Sequence, residues 1–252
     1  MTLAQRGTRA RSGARARGGA RSVRLLPWLL LIPAGAVILA LTVWPLLQLL
    51  VISLQEFGRA QIFGQPPGWV WLDNYADVLG DPVFWTVLVR SIGFAGVNVV
   101  TTMLLGILIA LLMTRLSRGF RVLVSSGLLL AWAMPPITAT VVWGWLFDTR
   151  SGVVNHVLTH GLGLPFEGHS WLIEPMSFFL VATVIITWQS VPFVAFTVFA
   201  GLTQVPGEVL EAAEIDGSTP FQRFRYITFP FIRPVLLVLL LLQIIWDMRV
   251  FP

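Results

Sequence analysis

The stretch EAAEIDGSTPFQRFRYITFP, Glu211 to Pro230, is acidic at its start and basic further on, and it lies between long apolar runs of a 252-residue chain that is 56% hydrophobic. Pro206 suits the first turn of a short helix. At about 100° per residue, Ala212, Val209, Ala213 and Leu210 share one arc while Glu211 and Glu214 fall opposite. Ile215 breaks the stripe beside Glu208 and leaves one apolar residue on the acidic face. Gly217 stands where a helix C-terminus takes a left-handed residue, and Ser218, Thr219 and Pro220 read as the cap and first position of a second helix. That helix carries Phe221, Phe224 and Ile227 on one side, and Pro230 and Pro234 redirect the chain into the next apolar run. The spacing predicts a helix, a glycine turn and another helix, the form of a docking element. A solvated loop is the plainer alternative.

The surroundings are those of a membrane protein. With 12% charged residues the chain has too little polar surface to enclose a soluble core of this size. Apolar runs long enough for a hydrocarbon layer of about 30 Å lie near residues 25–54, 85–113, 122–147 and 176–203, with a shorter one at 235–251. The first is too long for the core of a cleaved signal peptide. Residues 1–24, which hold seven arginines among Gly, Ala and Ser, read as a disordered tail. That tail has no aromatic residue for base stacking and directly precedes an apolar span, so it reads as an orienting charge and no nucleic-acid partner is expected.

Arginine is unevenly spread over the polar segments. It is dense in the tail, in residues 114–121 (Arg115, Arg118, Arg121) and in residues 204–234 (Arg223, Arg225, Arg233), and sparse in 55–84 and 148–175, which hold only Arg59 and Arg150. The positive-inside rule places the first set in the cytoplasm, N-terminus included, and the second outside. Trp69, Trp71, Trp85, Trp143, Trp145 and Trp171 fall in or beside the outward segments, where an amphipathic ring suits the interface. Within the spans, Pro135-Pro136 interrupts the third and Trp188-Gln189-Ser190 with Pro192 interrupts the fourth; freed backbone groups there need protein partners or a water-lined cavity. Asn98, Thr101, Thr102, Gln189 and Gln243 add polar side chains that either bond neighbouring helices or, as a set, line a polar path. Asn98, Thr102, Trp188 and Gln189 are the candidates for that path. Gly106 and Ala110 offer a small-residue surface for close helix contact.

Several chemistries lack their residues. The chain has no cysteine for disulfides or thiolate chemistry, and no lysine for a nucleotide-hydrolysing P-loop. His156 and His160 have ligand spacing, but no glutamate follows His156 as a zinc protease helix requires, and no metal or cofactor is expected. Asp247 and Arg249 are costly in lipid, yet their spacing puts them on different helix faces.

Glu211-Ala212-Ala213, then Gly217, Ile227 and Phe229-Pro230, resembles the EAA loop of binding-protein-dependent ABC importer permeases, EAA-x3-G-x9-I-x-L-P, with Phe229 in place of Leu. Trp71 to Ser91, Gly152 to Gly163, Trp171 to Pro175 and the closing DMRVF are similar to carbohydrate-type permeases of the maltose-importer kind. The resemblance implies an all-α integral membrane protein with the type I ABC importer transmembrane domain: first helix 25–54, extracytoplasmic loop 55–84, and permease core 85–252 with its EAA loop at 204–234. Family members carry a sixth span, so the chain reads as truncated after the fifth. The implied partners are a second permease, a pair of ABC ATPase subunits into which Glu211, Ala212, Ala213, Gly217, Ile227 and Pro230 dock, an extracytoplasmic substrate-binding protein, membrane lipid, and a sugar that moves between the paired permeases of the cytoplasmic membrane. ATP hydrolysis then belongs to another subunit and the chain is no enzyme. Glycerol phosphate or a polyamine is the alternative cargo. An ion-coupled carrier would bury carboxylates or histidines at mid-membrane, which the first four spans lack, and a membrane enzyme would need a catalytic constellation.

The arginine bias yields a direct test. Because the chain is cysteine-free, His156→Cys and Glu211→Cys each introduce a single thiol. A membrane-impermeant thiol reagent applied to intact cells should label position 156 and leave 211 untouched until the cells are opened; the reverse pattern would invert the topology.

Overall fold

The structure, a computed structural model, describes residues 30–249; the arginine tail, the start of the first span and the last residues of DMRVF lie outside them. Among the described residues four helices are long and apolar enough to cross a bilayer, or five if one sharply bent pair counts as a single span. The chain divides after Trp85 into two compact units.

The first unit holds α1 (Leu30–Ser53). A π turn at Leu39–Val43 interrupts it just before Pro45, with the Trp44 amide reaching back to the Leu39 carbonyl. A proline has no N–H to offer the preceding turn, and a widened turn is a common way to absorb it. Strands β1 (Gln55–Glu56) and β2 (Gly68–Trp69) pair antiparallel, Gln55 opposite Trp69, around the short helix α2 (Arg59–Ile62). Helix α3 (Asp73–Gly80) follows.

Next come α4 (Pro82–Arg115), α5 (Arg118–Ala133), α6 (Pro136–Leu146), α7 (Val153–His156, continued by a π turn at Val157–Gly161) and α8 (Pro175–Leu202). After them α9 (Gly207–Ile215) leads to α10 (Pro220–Asp247). The core of the second unit lies where α4, α8 and α10 meet: Ala110, Val194, Val198, Ile232 and Leu239 are buried together. The small-residue surface read from the sequence makes this approach possible. A Cβ on Gly106 would stand 2.5 Å from Val194 Cγ1, and Ala110 has no exposed surface. A second cluster, Phe147, Trp171 and Val181, packs under the 148–175 loop, where Asn155 donates to the Thr149 and His169 carbonyls and accepts from Trp171 Nε1. Asp148 starts that loop by accepting from the Ser151 amide and hydroxyl and the Arg150 amide, which holds its carboxyl below the usual range.

The third apolar run is interrupted at the proline pair as expected, being two helices that meet at 102° across Met134-Pro135. Other expectations change. The fourth is not interrupted: α8 runs unbroken through Trp188, Gln189 and Pro192. Proline removes only one ladder bond, and here its neighbours Val191, Val194 and Ala195 are buried against other helices, which sustains the rest. Nor does the last span begin after Pro234, because the second helix of the polar loop and the final span are one helix, Pro220–Asp247. A π turn at Phe224–Thr228 precedes Pro230, the Phe229 amide reaching the Phe224 carbonyl, so the device of α1 recurs. Asp247, the charge that the sequence marks as costly in lipid, is buried and accepts a hydrogen bond from Gln243.

Adding a methyl at Gly106 should overpack the α4–α8 contact. Gly106→Ala is expected to cost about 1–3 kcal/mol, read as a lower melting temperature of the purified protein. Val194→Ala in the same chain should restore part of the loss; equal losses in the single and double variants would disprove the contact.

Candidate functional site

Helix α9 ends in a hydrogen-bond pattern that depends on Gly217. Its φ is +79°, the Ser218 amide donates to Ala213 O, and the Gly217 amide donates to Glu214 O, both at 3.0 Å. These paired bonds are those of a Schellman cap, which needs a left-handed residue after the helix. The Ser218 hydroxyl adds a further bond to Ala213 O at 2.6 Å. The next helix starts with a capping box: Thr219 Oγ1 accepts from the Gln222 amide while Gln222 Oε1 accepts from the Thr219 amide. Arg223 and Glu214 then form an ion pair across the turn. The hairpin is thus held by backbone caps at its bend and a charge pair between its arms.

Its two sides differ. Leu210 and Ile227 pack on the core beside Val205 and Ile232. Glu211, Ala212, Gly217 and Pro230 are exposed, Ala213 is half-buried, and Ile215 is 87% and Phe221 74% exposed. Phe221 therefore does not share a buried side with Phe224 and Ile227. Val209 is open as well, so the apolar arc of α9 touches the core through Leu210. What faces out is an acidic surface with bulky apolar points at Ile215 and Phe221. Arg121 braces the end of α4: its Nε donates to Met113 O and its Nη2 to Leu116 O, with the guanidinium 5.5 Å from the Phe199 ring. A cation placed just after a helix end is the sequence signal for this role.

A cavity of about 640 Å³ opens at the α5–α6 break. Gln189, Ser190, Trp132, Trp246 and Asp247 line it, and Gln189 Nε2 donates to Met134 O at 3.2 Å. The break frees a carbonyl that hydrocarbon cannot satisfy, and Gln189 supplies its partner. Gln243 Nε2 donates to both Asp247 oxygens, at 3.2 and 3.3 Å. Aromatic faces, amide and hydroxyl donors and a carboxylate on one wall suit a polar, hydroxyl-rich solute. Trp188 belongs instead to an apolar groove with Leu105 and Leu128, its ring edge-on to Trp143 at 5.7 Å. Asn98 and Thr102 are wholly buried in the helix contact; Asn98 Nδ2 bonds Phe94 O, while Asn98 Oδ1 and Thr102 Oγ1 find no partner. Of the path candidates, the structure brings only Gln189 to the cavity. Asp247 stood out in the sequence as a costly charge, but only the packing of α10 on α8 puts it, with Trp246, on the wall of this cavity. The His156 and His160 rings stack at 4.6 Å, and no cluster able to hold a metal occurs among the described residues.

Comparison with known proteins matches residues 102–248 to the family described as binding-protein-dependent transport system inner membrane component. The diacetylchitobiose uptake system permease protein DasB of Streptomyces coelicolor is 44% identical over 245 residues, 97% of this chain and 73% of that protein. The trehalose/maltose transport system permease protein MalF of Thermococcus litoralis is 32% identical over 226 residues, 90% of this chain and 74% of that one. Among solved structures, a bacterial ABC transporter involved in the import of the acidic polysaccharide alginate superposes with a TM-score of 0.73 at 21% identity, covering 94% of this chain and 77% of that chain.

The Schellman cap makes the bend sensitive to one side chain. Gly217→Val should cost about 1–2 kcal/mol, seen as faster proteolytic cleavage at the bend, and Gly217→Asn, which tolerates a left-handed φ, should cost less. Equal cleavage of wild type and Gly217→Val would show that the turn does not require the glycine.

Proposed function

The chain belongs to the family of binding-protein-dependent transport system inner membrane components, and from that premise we propose that it is a permease subunit of an ATP-driven ABC importer that passes a sugar or oligosaccharide across the cytoplasmic membrane. The permeases it resembles are named for diacetylchitobiose and for trehalose and maltose, which supports a saccharide cargo. The cavity chemistry agrees: Trp132 and Trp246 offer flat apolar faces, and Gln189, Ser190 and Asp247 offer hydrogen-bonding groups.

One observation carries the mechanism: α10 is a single helix of 28 residues with the capped bend at one end and Trp246 and Asp247 of the cavity at the other. At 1.5 Å per residue it spans about 42 Å, so a push on the bend reaches the cavity wall through one hydrogen-bonded rod. In this reading the exposed face at Glu211, Ala212 and Gly217, with the half-buried Ala213 at its edge, docks on an ABC ATPase subunit in the cytoplasm, with Ile215 and Phe221 as apolar contact points. Ile227 keeps the bend on the core, and Pro230 follows the π turn. A second permease completes the path, and an extracytoplasmic binding protein delivers the sugar. Residues 85–252 form the permease core and 204–234 its coupling loop. Asn98 and Thr102 hold helices together, Trp188 flanks the path, and Gln189 faces it.

Glu211→Arg reverses the charge of the docking face without touching the core. In the intact transporter it should reach the membrane at wild-type level while sugar uptake and substrate-stimulated ATP hydrolysis in proteoliposomes fall at least about tenfold, the loss of one close charge pair. Uptake that persists at wild-type rate, or that follows an ion gradient without ATP, would overturn the assignment.

A further inference from the structure

We propose that residues 54–81 form a bilayer-surface anchor, seating the Trp69–Trp71 pair and the Leu72–Leu79 side of α3 in the headgroup boundary while Asp73 and Asp77 stay in water. The inference needs only that α1 spans the membrane. With 24 described residues, α1 measures about 36 Å against a hydrocarbon thickness of about 30 Å, so its Ser53 end lies at or beyond the boundary.

The segment after Ser53 is fastened to that end by side chains and backbone alike. Asn74 Nδ2 donates to the Ser53 and Gln55 carbonyls, both at 2.9 Å, and the Tyr75 and Ser53 hydroxyls are 2.7 Å apart. The Leu54 carbonyl accepts from the amides of Val70 and Trp71 at 3.1 and 3.0 Å. These bonds hold Trp71 at a φ of +52°, which a bulky residue adopts only when its surroundings impose it. Depth is therefore set by α1, and what the segment presents at that depth is suited to an interface. Trp69 and Trp71 are more than half exposed with ring centroids 5.9 Å apart. The cap residue Leu72 and, on α3, Ala76 and Leu79 fall on one arc and Asp73 and Asp77 on the other, and Leu72 and Leu79 are open. Trp85 Nε1 donates to Leu79 O, so the start of α4 is tied to the same platform. The segment is tied to the end of α1, whose apolar side chains are open along its length, which makes lipid its neighbour. Glu56, Asp73, Asp77 and Asp81 outnumber Arg59 here, so apolar seating and not attraction to anionic headgroups provides the affinity.

The test uses the full chain with single thiols at Leu72→Cys, Leu79→Cys and Asp77→Cys, each carrying an environment-sensitive fluorophore, in phosphatidylcholine nanodiscs with and without phosphatidylglycerol. Positions 72 and 79 should emit to the blue of 77 and be quenched about twofold more by a nitroxide near the headgroup than by one deep in the acyl chain. They should also resist aqueous iodide and be indifferent to phosphatidylglycerol, while 77 should quench freely with iodide. Iodide access at 72 and 79 equal to that at 77 would overturn the anchor. So would shielding that appears only when other transporter subunits are added, since that result would assign the surface to a protein partner.

Discussion

Hydrocarbon offers no hydrogen bonds, so every break in a membrane helix must be answered from within the protein. The sharpest break here is at Met134-Pro135, where the chain turns by 102° between α5 and α6. The freed Met134 carbonyl takes its bond from Gln189, on a helix reached only fifty-five residues later, and the same bond fixes one wall of the cavity. Structural need and a polar opening arise together, because a bent helix leaves a gap at its corner and a polar residue must stand there. Pro45 of α1 and Pro230 of α10 are handled locally: each comes just after a π turn and the helix goes on.

The continuity of α10 follows from that second solution. Had Pro230 ended a helix, the capped bend would hang from a joint and not be continuous with the helix that packs on the core. Instead Ile227, Ile232 and Leu239 lie along one helix and bury against Val194 and Val198 of α8. The bend, the core and the cavity wall share one backbone ladder. Gly106 contributes at the centre of this packing, since the absence of its side chain lets α4 approach α8 closely enough for Asn98 and Thr102 to lose all contact with solvent.

Local features of the polar loop were legible because their causes are local. A left-handed glycine after α9, the Thr219 cap and Pro220 at the next helix start each depend on a few neighbouring residues, and the structure realises all of them within a residue. The expectation that Phe221, Phe224 and Ile227 share one side failed at Phe221 alone, which stands in the exposed first turn of α10 next to the bend, while Phe224 and Ile227 are half-buried. Pro192 misled for another reason: a rule for isolated helices was applied to one sustained by buried neighbours. Arg121 and the Glu214–Arg223 pair lay in plain view as charges, but a charge does not name its partner.

Taken alone, the order of residues determined the class of the molecule, its apolar runs, the capped bend and the small-residue surface at Gly106, because composition, periodicity and caps act over distances of a few residues. Only the tertiary structure decided that Gln189 meets Met134 and lines the cavity, that Gln243 and Asp247 turn inward, and that Asn98 and Thr102 are fully buried. Those outcomes depend on which helix faces which, and a polar side chain in an apolar run looks the same in sequence whether it closes a contact or opens a path.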